Sequence, residues 1–115
     1  METDATGQVP NERRKHLRYR MTENINIICG DGRIIRGITL NISEGGLAAA
    51  ISSPLVVGDR ITLEPVGGGA VSAVVRCVLG RIYGFQFLSL SSEQVQRIRD
   101  ACKRLPLHTG VASKV

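Results

Sequence analysis

The 115-residue sequence has no tryptophan, only two Phe, two Tyr and two His, and no apolar run near the roughly 18 residues of a membrane helix. Each shortage closes off a class of protein. With so few rings, a core has to be built from Ile, Val, Leu and Ala, which suits a small β structure with many turns. Few rings are left to stack on single-stranded bases. His16 and His108 stand far apart, and Cys29, Cys77 and Cys102 are widely spaced with no Cys-x-x-Cys pair. No zinc pattern arises, and the thiols read as unpaired groups in a reducing compartment. Catalysis by Ser, Cys or His needs a base and an orienting partner, and none can be assembled. Asp31, Asp59 and Glu64 fall at turns or strand ends as ordinary surface groups. A binding protein is expected, not an enzyme, and no cofactor. The amino terminus lacks the apolar centre of a signal peptide, so the expected location is the cytoplasm, without membrane insertion.

What is present is one domain's worth of chain, 43% apolar and carrying 13 Gly, long enough to fold on a single core. Lys and Arg number 15 against 10 Asp and Glu, a net charge of +5. The excess is concentrated: Arg13, Arg14, Lys15, Arg18 and Arg20 lie within eight residues. That density predicts an anionic partner.

In chain order, residues 1–11 are polar and read as a disordered tail, and residues 12–20 as a basic arm. Alternating apolar residues over residues 24–88 then predict six short strands separated by Gly-rich turns, as in a barrel or sandwich. Period-two alternation over residues 34–42 sets Ile34, Arg36, Ile38, Leu40 and Ile42 on the inner face. Ile35, Gly37, Thr39, Asn41 and Ser43 then face outward. Over residues 70–78, Val71, Ala73, Val75 and Cys77 form the inner face, while Ser72, Val74, Arg76 and Val78 face out. After residue 90 the period becomes helical: Leu90, Val95, Ile98, Ala101, Cys102 and Leu105 make a stripe behind a Ser91/Gln94 capping box. The helix is expected over residues 91–105 and a flexible tail over residues 106–115.

Two stretches carry chemistry. Arg14 and Arg18, four apart with Arg13 beside the first, offer forked donors that match phosphate oxygens or the O6/N7 edge of guanine. Asn41-Ile42-Ser43-Glu44-Gly45-Gly46 ends a strand in small polar residues and glycines, where another molecule can approach the main chain closely. Taken alone, the first is a solvated charge run or a nonspecific nucleic-acid arm, and the second a polar turn closing a hairpin.

Together, Arg14-x-x-x-Arg18 and, after 22 intervening residues, Asn41-x-Ser43-x-x-Gly46 resemble the two signatures of the PilZ domain family. That family binds the bacterial second messenger cyclic di-GMP, and Tyr83-Gly84-Phe85-Gln86-Phe87 looks like its last strand. The resemblance implies a six-stranded antiparallel β-barrel with a C-terminal helix and a ligand on the barrel's outer face. Arg14 and Arg18 would grip phosphate and guanine, Asn41 and Ser43 would hydrogen-bond the nucleotide, and Gly46 would leave room for it. Arg13 occupies the place that in the family accompanies two stacked ligand molecules. Arg76, outward by parity, is a further candidate for stacking on a base. The implied role is a receptor whose arm changes conformation on binding and relays the signal to another protein. A nonspecific nucleic-acid-binding barrel, and a PilZ-like interaction module without ligand, stand as alternatives.

Overall fold

The computed structural model describes residues 17–107. Within them the order is β1 (Tyr19–Arg20), β2 (Asn24–Cys29), β3 (Ile34–Ile42), β4 (Gly46–Ile51), β5 (Arg60–Val66), β6 (Gly69–Leu79), β7 (Ile82–Leu88) and α1 (Ser92–Lys103). The strands pair antiparallel in the order β1-β3-β2-β5-β6-β7-β4, and β3 also pairs with β4. That last pairing closes β2 to β7 into the six-stranded barrel the resemblance implies, and β1 lies outside it. The expected tail at residues 1–11 falls outside the described residues.

The core follows from alternation. Ile25 and Ile27 of β2, Ile61 and Leu63 of β5, Val71, Ala73 and Val75 of β6, and Tyr83, Phe85 and Phe87 of β7 are all buried. All three rings of β7 thus point into the barrel, and residues i, i+2 and i+4 share a face because successive side chains alternate. Leu55 caps one end from the loop between β4 and β5. It is buried, and its N–H donates to the Tyr83 hydroxyl at 3.3 Å.

Helix α1 closes the other end. The capping box forms as expected: Gln94 N–H donates to Ser91 Oγ at 3.1 Å, and Ser91 N–H donates to Gln94 Oε1 at 2.8 Å. Ile98 and Cys102 are buried, with Leu90 and Leu105 packed against the same core. Gln94 Nε2 donates to the Ala70 carbonyl at 3.1 Å, fixing the helix over the β5–β6 turn. Past the helix, the Pro106 carbonyl accepts from Arg20 N–H at 2.8 Å and Leu107 bridges Tyr19. The last two residues of the arm and the first two of the expected tail therefore hold each other.

Two expectations of facing are corrected, for one physical reason. Ile34, Arg36 and Ile38 are exposed, while Ile35, Gly37 and Thr39 are buried, the reverse of the expected phase. Ile42 is buried as expected, because the β3–β4 register shifts by one residue between Thr39 and Asn41. A β-bulge adds an unpaired residue and so inverts every later side chain. A second shift, between Val75 and Cys77, leaves Cys77 exposed instead of inward. Val74, between inward Ala73 and Val75, keeps its outward parity and lies outside the core cluster, but it is covered instead of exposed.

Leu63 has no exposed surface, so Leu63→Ala should lower stability by about 2–5 kcal/mol. Ile38→Ala, at a site 48% exposed, should cost below about 1 kcal/mol; urea denaturation of both measures the difference.

Burial, with a smaller push from the Glu44 carboxylate, raises the Cys102 thiol from 9.0 to about 11. In the unfolded chain the thiol ionises first, so its contribution is whole below pH 9 and is lost as pH rises toward 11. Over that window wild type should lose more stability than Cys102→Ala, as read by denaturant titrations at stepped pH.

Candidate functional site

The turn after β3 is closed by its own polar groups. Ser43 N–H donates to the Gly46 carbonyl at 2.8 Å, Ser43 Oγ donates to the same carbonyl at 3.3 Å, and Gly45 N–H donates to Ser43 Oγ at 3.2 Å. Ser43 is accordingly buried, not turned to solvent as strand parity predicts. Phe87 N–H donates to the Gly45 carbonyl at 2.9 Å, pinning the turn to β7. Gly46 is buried too, and a Cβ there would overlap the Phe85 carbonyl oxygen. The glycine is thus required for β4 to lie against β7.

Just before the turn, the bulge points Asn41 outward. Its Oδ1 accepts from Arg18 Nη1 at 2.6 Å, which joins one residue of each sequence motif across 23 positions. The strand end that carries Arg18 is held in place from below: Tyr19 and Arg20 pair with Ile42 and Asn41. Thr39, buried and facing inward, adds a stitch, since its hydroxyl accepts from Glu23 N–H at 2.9 Å and donates to the Met21 carbonyl at 3.1 Å.

From Asn41 a row of outward positions crosses four strands: Asn41 pairs with Ala48, Ala48 with Gly84, and Gly84 with Cys77. The row runs from one bulge to the other. Three inter-strand spacings of about 4.8 Å make it roughly 14 Å long. Its middle is Ala48 and Gly84, two small residues, and the Cys77 Sγ lies where a Cβ on Gly84 would stand. At its far end Arg76, exposed at the second bulge, donates through Nε to Gln86 Oε1 on β7. The result is a shallow floor with an amide and a guanidinium at one end and a guanidinium at the other. Such a surface can take a flat, anionic ligand through stacking and charge-assisted hydrogen bonds. A separate concavity of about 320 Å³, lined by Ile28, Arg60, Thr62, Ser72 and Leu88 among others, includes none of the motif residues.

The structure therefore brings Arg18, Asn41 and Arg76 to one outer face and gives Ser43 and Gly46 to the turn behind it. Arg13 and Arg14 lie outside the described residues. Ala48 and Gln86 are absent from the sequence-based set of site residues. Their signal is indirect, in the run of small residues over β4 and the Gly84 interruption of an otherwise apolar strand.

The family model for the PilZ domain matches residues 12–104, most of the chain. The chain belongs to the PilZ domain family. Solved PilZ structures share the fold at low identity. The PilZ domain of CeSA from a cellulose-synthesizing bacterium is 20% identical with a TM-score of 0.62, covering 74% of this chain and 93% of that one. The PilZ domain of Escherichia coli YcgR, solved with c-di-GMP, is 21% identical with a TM-score of 0.61, covering 80% and 92%. The Bacillus subtilis inhibitor of motility, MotI/DgrA, is 21% identical with a TM-score of 0.63, and this chain spans half (50%) of its length. No curated protein matches the chain. Among the described residues of this PilZ domain, no helix is long and apolar enough to cross a membrane.

Because Gly46 abuts backbone that cannot move aside, Gly46→Ala should destabilise the domain by about 1–3 kcal/mol, visible as a lowered Tm before any ligand is added.

Proposed function

We propose that this PilZ domain is a cyclic di-GMP receptor that passes the signal to a partner protein. The observation that carries the reading is the Arg18–Asn41 hydrogen bond, which sets one residue of each motif at the end of the Ala48–Gly84 floor. Family membership supports it, and so does the fold shared with a YcgR PilZ domain that was solved with c-di-GMP. Arg14 and Arg18 grip phosphate and guanine, Asn41 presents its amide, and Arg76 stacks from the far end. Ser43 and Gly46 act through the shape of the turn. Arg13 serves a second, stacked ligand molecule.

Energetics constrain how the arm works. Fixing the backbone of each arm residue against a ligand costs roughly 1–2 kcal/mol, and each charge-assisted hydrogen bond returns about 1.5–3 kcal/mol net. Several contacts therefore form together. The change in the arm is confined to the chain before Tyr19, because Tyr19 and Arg20 already belong to β1. Ligand-dependent slowing of amide exchange over residues 12–18 is the expected signature.

Calorimetric titration with cyclic di-GMP, with GTP and a short oligonucleotide as controls, tests the reading. Micromolar binding of cyclic di-GMP alone is expected. Arg14→Ala or Arg18→Ala should abolish it while leaving Tm nearly unchanged, since Arg18 is absent from the core cluster. Equal binding of the oligonucleotide would instead favour a nucleic-acid barrel, and no binding at all a PilZ module without ligand. Two ligands per chain in wild type, and one in Arg13→Ala, would match the stacked pair.

A further inference from the structure

The turn that shapes the candidate site contains a carboxylate. Glu44 stands between Ser43 and Gly45, one residue from groups that hold the turn closed. Its Oε1 accepts from Arg99 Nε of α1 at 3.0 Å, across 55 positions of sequence. The Glu44 side chain is 35% exposed and that of Arg99 51% exposed. The carboxylate is also close enough to α1 to help raise the Cys102 thiol, after burial.

As a contribution to stability this pair counts for little, because partly exposed ion pairs give about 0–1 kcal/mol. Its consequence for an anion is different. A carboxylate in the turn beside Asn41 repels a dianionic ligand on the neighbouring floor, and at the protein surface that repulsion is only partly screened. Strands β3, β4, β6 and β7 contain no Asp or Glu. Glu44 is thus the one acidic residue in the motif or in the four strands that carry the floor.

We infer that Arg99 is a positioning residue for the anionic ligand: by pairing with Glu44 it cancels the turn's negative charge and holds the turn against α1. The inference rests on the cyclic di-GMP reading and adds to it a residue outside both motifs. Arg99 need not touch the ligand. It acts by neutralising a group whose charge would otherwise oppose binding.

The test is a double-mutant cycle on the full chain, with cyclic di-GMP as the probe at fixed ionic strength. Arg99→Ala should weaken binding roughly three- to tenfold, the scale of one unit charge acting over several ångströms at a protein surface. In a Glu44→Ala background the same substitution should change affinity less than about twofold, since the charge it masks is gone. Arg99→Lys and the exchanged pair Glu44→Arg/Arg99→Glu should both bind better than Arg99→Ala. Tm should stay within a few degrees throughout, separating positioning from loss of fold. A nonspecific positive field from Arg99 would give equal losses in both backgrounds, and that result overturns the inference, as does no loss in Arg99→Ala. Wild type that fails to bind cyclic di-GMP removes the receptor reading and this inference with it. Wild-type binding without coupling removes the inference alone.

Discussion

One unpaired residue in β3 decides the geometry of this domain. With Ile35, Gly37 and Thr39 directed inward, uninterrupted alternation would put Asn41 inside the barrel, among aliphatic side chains and without partners. A buried amide left unpaired costs on the order of 1–3 kcal/mol. The register shift between Thr39 and Asn41 avoids this. It returns Ile42 to the core and brings the amide to the outer wall, where Arg18 meets it. The shift between Val75 and Cys77 does the same on β6, placing Arg76 and Cys77 outside at the far edge of the same row. A six-stranded barrel this small has to bend its strands sharply, and bulges are a usual means. Closure of the barrel and the exposure of the candidate site therefore share one cause.

The end of the barrel beneath that site is tied together through α1. Its capping box and the Gln94 bond to Ala70 fix the amino-terminal end of the helix, and Ile98 and Cys102 plug the core. The segment after the helix pairs with Tyr19 and Arg20, while Arg99 meets Glu44 in the turn. The strand that follows the first motif and the turn of the second thus each have a connection to the C-terminal region, one through backbone pairing and one through an ion pair. The first resists salt, whereas the second weakens as ions screen it.

Much of this was legible in the sequence, and the failures are specific. Glycine-punctuated alternation and the change of period at Leu90 predict six strands and a helix after them, as the structure has them, because both signals are local. The Ser91/Gln94 box formed as its spacing implies. What alternation could not show was its own interruption. Taking the mostly apolar set as the inner face puts Ile34, Arg36 and Ile38 inside, since isoleucines at i and i+4 look like a core face whichever way the strand is turned. Cys77 faces outward for the same reason, an interrupted register. Ser43 departs from parity because a hydroxyl in a tight turn can be consumed by backbone groups two and three residues on. The Glu44–Arg99 contact, 55 positions apart, leaves no local trace in a single sequence.

The division of labour among the polar groups follows from how each is held. Asn41 is fixed by strand pairing on both sides, to Arg20 and to Ala48. Its single amide can therefore be aimed with little further loss of entropy. Arg18 precedes the strand that would fix it, and a long guanidinium side chain loses roughly 2 kcal/mol of rotamer freedom when immobilised. Its bond to Asn41 already meets part of that loss. A ligand that accepts from the Arg18 guanidinium meets a side chain partly ordered beforehand, which is the physical content of preorganisation. Arg76, held by Gln86 across the opposite edge, is prepared in the same way. The floor between them carries a methyl at Ala48 and a hydrogen at Gly84, and the small Cys77 thiol fills the space that a side chain at Gly84 would need.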